Sequence, residues 1–418
     1  MRIAYLHQYF VTPSMPGGTR SYEMARRLVS AGHEVHMVTS DQSGDSSGDD
    51  WRTSVEAGIN VHWAPVSYDN EMSYRRRILS FIAFAIRAAR KARSLDPDVV
   101  FATSTPLTIA IPAVYAARRC AVPMVFEIRD LWPAVPIAIG VIRNPLAIRA
   151  AVALERFAYR NAARVVALAP GMRDEVIGCG YPPEKVVVIP NGCDLDVFAD
   201  SDNAADLRHR YAWLGQRPLL VFAGTFGLIN GMDYLVRLAA ELLRLDPEIR
   251  IAAIGAGREF ERTRSLAERL GVLDRNLYLI GRLPKSETAV WTRAADMTIA
   301  LITGPEIVWR DAVQNKFFDS LAAGTPVANN FNGWQTRVAE EAGAGIRLSA
   351  EDIEAAAGDV ARRLRDKEWL HRAGEAARRL AVERFDRDSL AARLARLLEE
   401  VCADETSAGK SRAASGTR

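Results

Sequence analysis

At 418 residues the chain exceeds what one hydrophobic core ordinarily supports, which points to two domains. A hydrophobic content of 49% with 25% charged residues is that of a soluble globular protein, and a formal net charge of +3 is too small to argue for a nucleic-acid partner. The four cysteines, Cys120, Cys179, Cys193 and Cys402, are widely spaced and form no CxxC pair, which argues against a disulfide framework or a structural zinc site.

"MRIAYLHQYF" opens directly on a strand pattern, with no signal-peptide core or cleavage site, and no run of eighteen apolar residues predicts a transmembrane helix. A glycine-containing loop, "VTPSMPGGTR", leads into "SYEMARRLVSAGHEVHMVTS", an amphipathic helix followed by a second strand. Within that loop Gly17 and Gly18 let backbone amides approach an anion at a helix N-terminus, and Arg20 adds charge; a plain tight turn is the alternative. "YRRRILSFIAFAIRAARKAR", Tyr74 to Arg93, places seven basic residues around an apolar block. Such a helix either lies on an anionic membrane surface or packs on its own sheet with a solvated basic face.

The runs "DVVFAT", "PMVFEI", "RVVALA" and "KVVVIP" read as strands of a parallel sheet covered on both faces. "FEIRDLWP" sets Glu127, Arg129 and Asp130 at a strand's carboxyl end, where open α/β sheets bind ligands, although a structural Arg–carboxylate pair explains them too. "PNGCDLDVFADSDNAADL" is rich in turn formers and acids and reads as the interdomain linker. Its Asp194 and Asp196 could hold a hard cation, but turn chemistry accounts for them more simply.

"RPLLVFAG", "TFGLING" and "MDYLVRLAAELLRLDPEIRIAAIGAG" repeat the strand–loop–helix–strand order, with Met232, Leu235, Val236, Ala239, Leu242 and Leu243 on one helical face. A parallel βαβ unit found twice predicts two doubly wound α/β domains. "NLYLIG", "MTIALI" and "TPVANN" continue the second sheet, helical pattern resumes from about Glu354, and the polar tail after Val401 reads as disordered.

"DAVQNKFFDSLAAGTPVANN" carries Asp311, Lys316 and Asp319 among buried-type residues. On a continuous helix Asp311 and Asp319 lie about 12 Å apart along the axis and about 80° apart in direction, so both can face one cleft. Lys316 and Asp319, three residues apart, are placed to pair, and Gly324 with Pro326 ends the helix.

Taken in order, "PGGTRSYEMARRLVSAGHEVHMVTS", "EKVVVIPNGCDLDVF", "FAGTFGLINGMDYL" and "NKFFDSLAAGTPV" resemble the family-4 retaining glycosyltransferases, from residue 1 to about 400. "ATSTPLTIAIP", "FEIRDLWP" and "NGW" resemble a bacterial subgroup of O-antigen, capsule and exopolysaccharide assembly. The resemblance implies a GT-B fold, two Rossmann-like domains facing across a cleft. It divides the chain into an acceptor-side domain, 1–195, a nucleotide-sugar domain, 196–385, a helix 386–402 returning to the first, and a tail 403–418. The implied reaction moves a sugar, an N-acetylated amino sugar in that subgroup, from a UDP-sugar to an undecaprenyl-diphosphate-linked acceptor with retention. It would take place at the inner face of the cytoplasmic membrane, without metal or other cofactor.

By the same resemblance Asp319 binds the ribose, Asp311 lies near the donor sugar, and Asn315, Lys316, Gly224 and Thr225 lie near the diphosphate, with Gly17 and Gly18 closing on the β-phosphate. Both acids stand where the family has glutamate, and Thr225 and Asn230 stand where many members carry an arginine and a lysine. Lys316, Arg282, Arg310 and Arg20 are the candidate replacements for those cations. Arg129 and Asp130 fall where relatives show His-Asp, on the acceptor side. A sugar-nucleotide 2-epimerase of the same fold and a non-catalytic sugar-nucleotide-binding partner are the alternatives.

Overall fold

The computed structural model describes residues 1–15, 17–41, 51–66, 74–104, 106–198 and 202–415. The chain divides into two compact units, Met1–Pro190 with Asp388–Arg418, and Asn191–Arg387. Unit 1 holds strands β1 (Arg2–Leu6), β2 (Glu34–Ser40), β3 (Arg52–Glu56), β4 (Ile59–Ala64), β5 (Val99–Thr103), β6 (Met124–Ile128), β7 (Arg164–Ala167) and β8 (Val186–Val188). Helices α1 (Arg20–Ser30), α2 (Tyr74–Ser94), α3 (Ala110–Cys120), α4 (Ala134–Ala138), α5 (Pro145–Asn161) and α6 (Pro170–Gly178) connect them. The sheet order is β3-β4-β2-β1-β5-β6-β7-β8, parallel throughout except for the β3–β4 pair.

All five residues of β5 and of β6 are buried, as expected for central parallel strands with helices on both faces. The chain moves one way across the sheet through α1, from β1 to β2, and the opposite way through α2, α3, α5 and α6. Right-handed crossovers therefore put α1 on one face and the other four on the opposite face.

Unit 2 begins with α7 (Asp202–Arg210) and continues through β9 (Leu219–Ala223), α8 (Met232–Leu245), β10 (Arg250–Ile254), α9 (Phe260–Arg269), β11 (Leu277–Ile280), α10 (Lys285–Ala294) and β12 (Met297–Ala300). It ends with α11 (Glu306–Trp309), α12 (Asn315–Ala323), β13 (Val327–Asn329), α13 (Trp334–Ala342), β14 (Gly345–Arg347), α14 (Ile353–Arg365) and α15 (Lys367–Arg384). Its sheet, β11-β10-β9-β12-β13-β14, is wholly parallel, and the strand order reverses between β9 and β12. Leu235, Val236, Ala239 and Leu242 of α8 are fully buried in the core, the face that their helical spacing marks.

Three expectations change. The segment after Pro190 is not a free linker: Cys193 bridges Asp386, its amide donates to the Phe385 carbonyl at 2.7 Å, and Asp194 is fully buried within unit 2. The continuous helix over Asp311–Asp319 is broken, because Gln314 is extended (φ −71°, ψ 131°) and α12 starts only at Asn315. Gln335 holds that extended residue from both sides, its Oε1 accepting from the Gln314 amide at 3.0 Å and its Nε2 donating to the Gln314 carbonyl at 3.1 Å. The tail is helical rather than irregular through Ser415, since α16 (Arg387–Ser415) runs on past Val401. Leu390, Leu394, Leu398 and Val401 of α16 pack in the unit 1 core with Met24 and Leu28 of α1.

Candidate functional site

In unit 2 the reversal of strand order opens the carboxyl end of the sheet between β9 and β12, the place where doubly wound sheets bind ligands. Gly224 follows β9 directly. Its amide donates to the Ile254 carbonyl at 2.9 Å and the Phe226 amide donates to the Ala256 carbonyl at 3.0 Å, tying this loop to the one after β10. Close approach requires glycine on the facing loop: a Cβ on Gly255 (φ +146°) would sit 1.8 Å from the Gly224 carbonyl oxygen. Asn230 closes the loop from within, its Nδ2 donating to the Thr225 carbonyl at 2.8 Å, so it serves the loop's shape.

α12 brings Lys316 to this loop. A Cβ on Gly224 would lie 2.9 Å from Lys316 Nζ, and the ammonium stands 4.0 Å from the centroid of the Phe222 ring. Nζ has no hydrogen-bond partner, and burial pushes its pKa from the ordinary 10.5 down to about 7. The expected Lys316–Asp319 pair is absent; the ring of Phe222 takes the place of the carboxylate against the ammonium.

Lys316, Asp319 and Lys285 instead line one small cavity with Ser320 and Thr298. Burial raises the Asp319 pKa against the lowering pull of Lys285, and the Asp194 carboxylate raises it further. Asp194 itself is ion-paired to Lys285 and, at 2.6 Å, to Arg387. The first acid of the Asp194–Asp196 pair is thus a structural carboxylate, and among the described residues no group of His, Cys, Asp and Glu is placed to hold a metal ion.

Asp311 lies outside α12. Its carboxylate is buried and accepts from Arg310 Nε at 2.7 Å. Arg282 is exposed just past β11, and Asn315 is exposed at the first turn of α12. Of the cations expected to replace the missing pair, Arg310 is occupied by Asp311, whereas Lys316 is unpaired beside Gly224.

In unit 1 Arg20 departs from the expectation of an anion contact. It is 1% exposed, donates through Nε and Nη2 to Glu127 Oε2 at 3.1 and 2.7 Å, and reaches the Pro190 and Ile189 carbonyls at 2.6 and 2.9 Å. Burial alone would raise the Glu127 pKa, but the Arg20 guanidinium, with Arg129 and the Thr103 hydroxyl, outweighs it and holds the carboxylate below its usual range. Arg20 therefore fastens the start of α1 to the ends of β6 and β8. Gly17 and Gly18 are exposed ahead of α1, and Pro16 lies outside the described residues.

Arg129 lies close enough to Glu127 for its charge to help lower the Glu127 pKa. Its amide donates to Ser104 Oγ at 3.0 Å, and its Nη1 points at His7 Nε2, 3.3 Å away. An arginine can only donate, so the His7 proton sits on Nδ1, which is buried without a partner. Burial, and then Arg129, push the His7 pKa well below its ordinary value. The neighbouring Gln8 is fully buried with both side-chain polar atoms unpartnered, and Asp130 is exposed.

Nothing in the sequence pattern marks His7 and Gln8, which look like any strand end. The repeated glycine of "GAG" after a predicted strand is the available signal for Gly255 and Gly257. No local pattern marks Lys285, whose partner Asp194 is 91 residues away.

Two doubly wound α/β units in one chain, each with its polar residues gathered at the strands' carboxyl ends, define the GT-B class. The glycosyl transferase 4-like domain model matches residues 17–192 and the glycosyl transferases group 1 model matches residues 204–380. Unit by unit, the chain belongs to these glycosyltransferase families.

A GDP-mannose-dependent α-(1-6)-phosphatidylinositol monomannoside mannosyltransferase of Mycolicibacterium smegmatis is 28% identical over 219 residues, 52% of this chain and 57% of that protein. The matched region therefore spans little more than half the length of that relative. A D-inositol 3-phosphate glycosyltransferase of Xylanimonas cellulosilytica is 28% identical over 395 residues, 90% of each chain. Among solved structures, the sucrose-phosphate synthase of Thermosynechococcus elongatus superposes with a TM-score of 0.78 at 17% identity, covering 96% of this chain and 99% of that one.

Proposed function

We propose that the chain transfers a sugar from a nucleoside-diphosphate sugar to a hydroxyl of a lipid-linked acceptor. The observation that carries this reading is the unpaired Lys316 ammonium at the carboxyl end of β9, beside a glycine loop that has no cation of its own. A diphosphate placed there would meet the Gly224 and Thr225 backbone, the N-terminal turn of α12 at Asn315 and the Lys316 charge. Asp319, which lines a cavity with Lys316, would accept from the ribose hydroxyls, as the family resemblance implies. Asp311, which precedes α12 and pairs with Arg310, would lie near the donor sugar, as the resemblance implies.

Leaving-group stabilisation is the main electrostatic task of such a transfer. Lys316 would stabilise the charge that builds on the diphosphate as the bond from the anomeric carbon breaks. The acceptor hydroxyl attacks from the same face and gives its proton to the departing phosphate oxygen. Arg129 and Asp130 serve the acceptor. The donor is a UDP-linked N-acetylated amino sugar and the acceptor an undecaprenyl-diphosphate glycan, as the subgroup resemblance implies. The GDP-mannose dependence of a relative makes GDP-sugars the competing arm.

A screen of UDP-, GDP- and dTDP-sugars with a short polyprenyl-diphosphate-sugar acceptor tests the reading. Product from a UDP-amino sugar is expected; product from GDP-mannose alone replaces the donor assignment, and epimerised donor without acceptor replaces the reaction. Asp319→Ala should weaken nucleotide binding by about 1.5–3 kcal/mol, the scale of a charged hydrogen bond. Unchanged affinity by calorimetry removes Asp319 from the site.

A further inference from the structure

Nine of the sixteen large apolar side chains exposed among the described residues come from residues 79–157 of unit 1. On α2, Phe84, Ala88 and Ala92 are buried, while Leu79, Ile82 and Ile86 are 65, 50 and 50% exposed. The spacing of these two sets places them on opposite sides of the helix, so α2 is apolar both towards the core and away from it. Arg90 and Arg93, both exposed, continue the outer stripe four and seven residues beyond Ile86.

α3 repeats the arrangement with exposed Ile111 and Tyr115 followed by exposed Arg118 and Arg119. α5 carries exposed Leu146, Arg149, Phe157 and Arg160 along one side. α2 packs on α3 and α3 on α5, in the single layer that the crossovers define. Together these three helices hold twelve Lys or Arg against one acid, Glu155, in a chain whose net charge is only +3. The Arg75, Arg76 and Arg77 side chains lie outside the described residues.

We propose that the α2–α3–α5 layer docks on an anionic lipid bilayer. Each helix begins at the carboxyl end of a strand, so the apolar side chains that open α2 and α3, with exposed Ile139 and Val141 of the β6–α5 connection, lie towards the sheet's carboxyl edge. The arginines lie further along, where they meet phosphate headgroups while the apolar residues enter the acyl boundary. His7, Ser104 and Arg129 occupy that same carboxyl edge, so a lipid-linked acceptor reaches them while its lipid remains in the bilayer. The acceptor's reach to these residues rests on the proposed transfer; the docking surface does not. No described helix is long and apolar enough to cross a membrane, which suits lateral docking.

The test is co-sedimentation of the full chain with phosphatidylcholine vesicles and with vesicles that also contain phosphatidylglycerol. Binding is expected only to the second kind and should fall with added salt. Arg90→Glu with Arg93→Glu should weaken it by at least about fivefold per position, the factor expected for each basic residue near an anionic surface. Ile82→Asp with Ile86→Asp should abolish it, whereas Leu245→Asp with Leu270→Asp in unit 2 should leave it unchanged. Circular dichroism and nucleotide affinity, read in every variant, separate docking from folding and from the donor-site reading. Vesicle binding that survives both unit 1 variants overturns the proposal, as does no binding to either vesicle. A dimer in light scattering that Ile82→Asp dissociates also overturns it, since a second copy then covers the face.

Discussion

Lys316→Met should stabilise the protein and disable it at once. In the folded chain Lys316 titrates at about 7, against the ordinary 10.5 that the unfolded chain recovers. Between those values the unfolded chain binds the extra proton, so stability is lowest at and below about pH 7 and rises as the pH climbs towards 10.5. A shift of that size corresponds to a few kcal/mol, and partial solvent contact of the side chain reduces it to about 2–4 kcal/mol. Methionine fills the same volume over the Phe222 ring without the charge, so urea unfolding at pH 7 should show a gain of that order. The gain should fall below about 1 kcal/mol by pH 10 and vanish above about pH 11.

Binding of an intact nucleotide sugar reverses the balance, because its diphosphate favours the protonated amine. Affinity for the wild-type chain should be flat below about pH 7 and fall up to tenfold per unit above it, with one proton taken up per ligand. Calorimetry in buffers of different ionisation enthalpy reads that proton directly. In Lys316→Met the affinity at pH 7 should drop by about 1.5–3 kcal/mol and lose its pH dependence. A variant that is destabilised at pH 7, or that keeps the wild-type pH slope, would refute the placement of Lys316 at the diphosphate.

Gly255→Ala puts a Cβ 1.8 Å from the Gly224 carbonyl and forces a positive φ on alanine, so unit 2 should lose about 3 kcal/mol or more in urea unfolding. Gly224→Ala meets only the far end of the Lys316 side chain, at 2.9 Å, and should cost little stability while weakening nucleotide affinity about tenfold. Glu127→Gln leaves the buried Arg20 without its counter-charge and should destabilise unit 1 by about 3–5 kcal/mol. Pairing it with Arg20→Met should return part of that loss, which a double-mutant cycle measures.

Much of the architecture was legible because it follows from short-range pattern. The apolar runs of β5, β6, β9 and β10 and the single apolar face of α8 need only periodicity, and these gave two doubly wound sheets. What periodicity cannot supply is the partner of a charge. Arg20 looked like an anion ligand because it follows two glycines, and only the fold brings Glu127, 107 residues on, against it. Asp194 reads in sequence as turn chemistry, with a hard cation as the less simple alternative, and only the fold brings Lys285 and Arg387 to it. Asp311 and Asp319 kept their spacing but not their shared helix, since Gln335 pulls Gln314 into an extended conformation between them. Lys316 drew notice by the lack of cations in the preceding loop, and its isolation from any carboxylate is a property of the fold alone.

The packing of α16 against α1 has a consequence for the protein's synthesis. Residues 1–190 emerge first from the ribosome, yet one wall of their core is made by Leu390, Leu394, Leu398 and Val401. Unit 2 closes at Arg387, before that wall exists. The half made first is thus the half finished last, and it must wait with apolar surface uncovered for the time translation takes to add roughly two hundred further residues, on the order of 10–40 s. A chain stopped after unit 2 should contain one folded domain and one unfinished sheet, so the natural point of failure on truncation is the amino-terminal half, far in sequence from the cut.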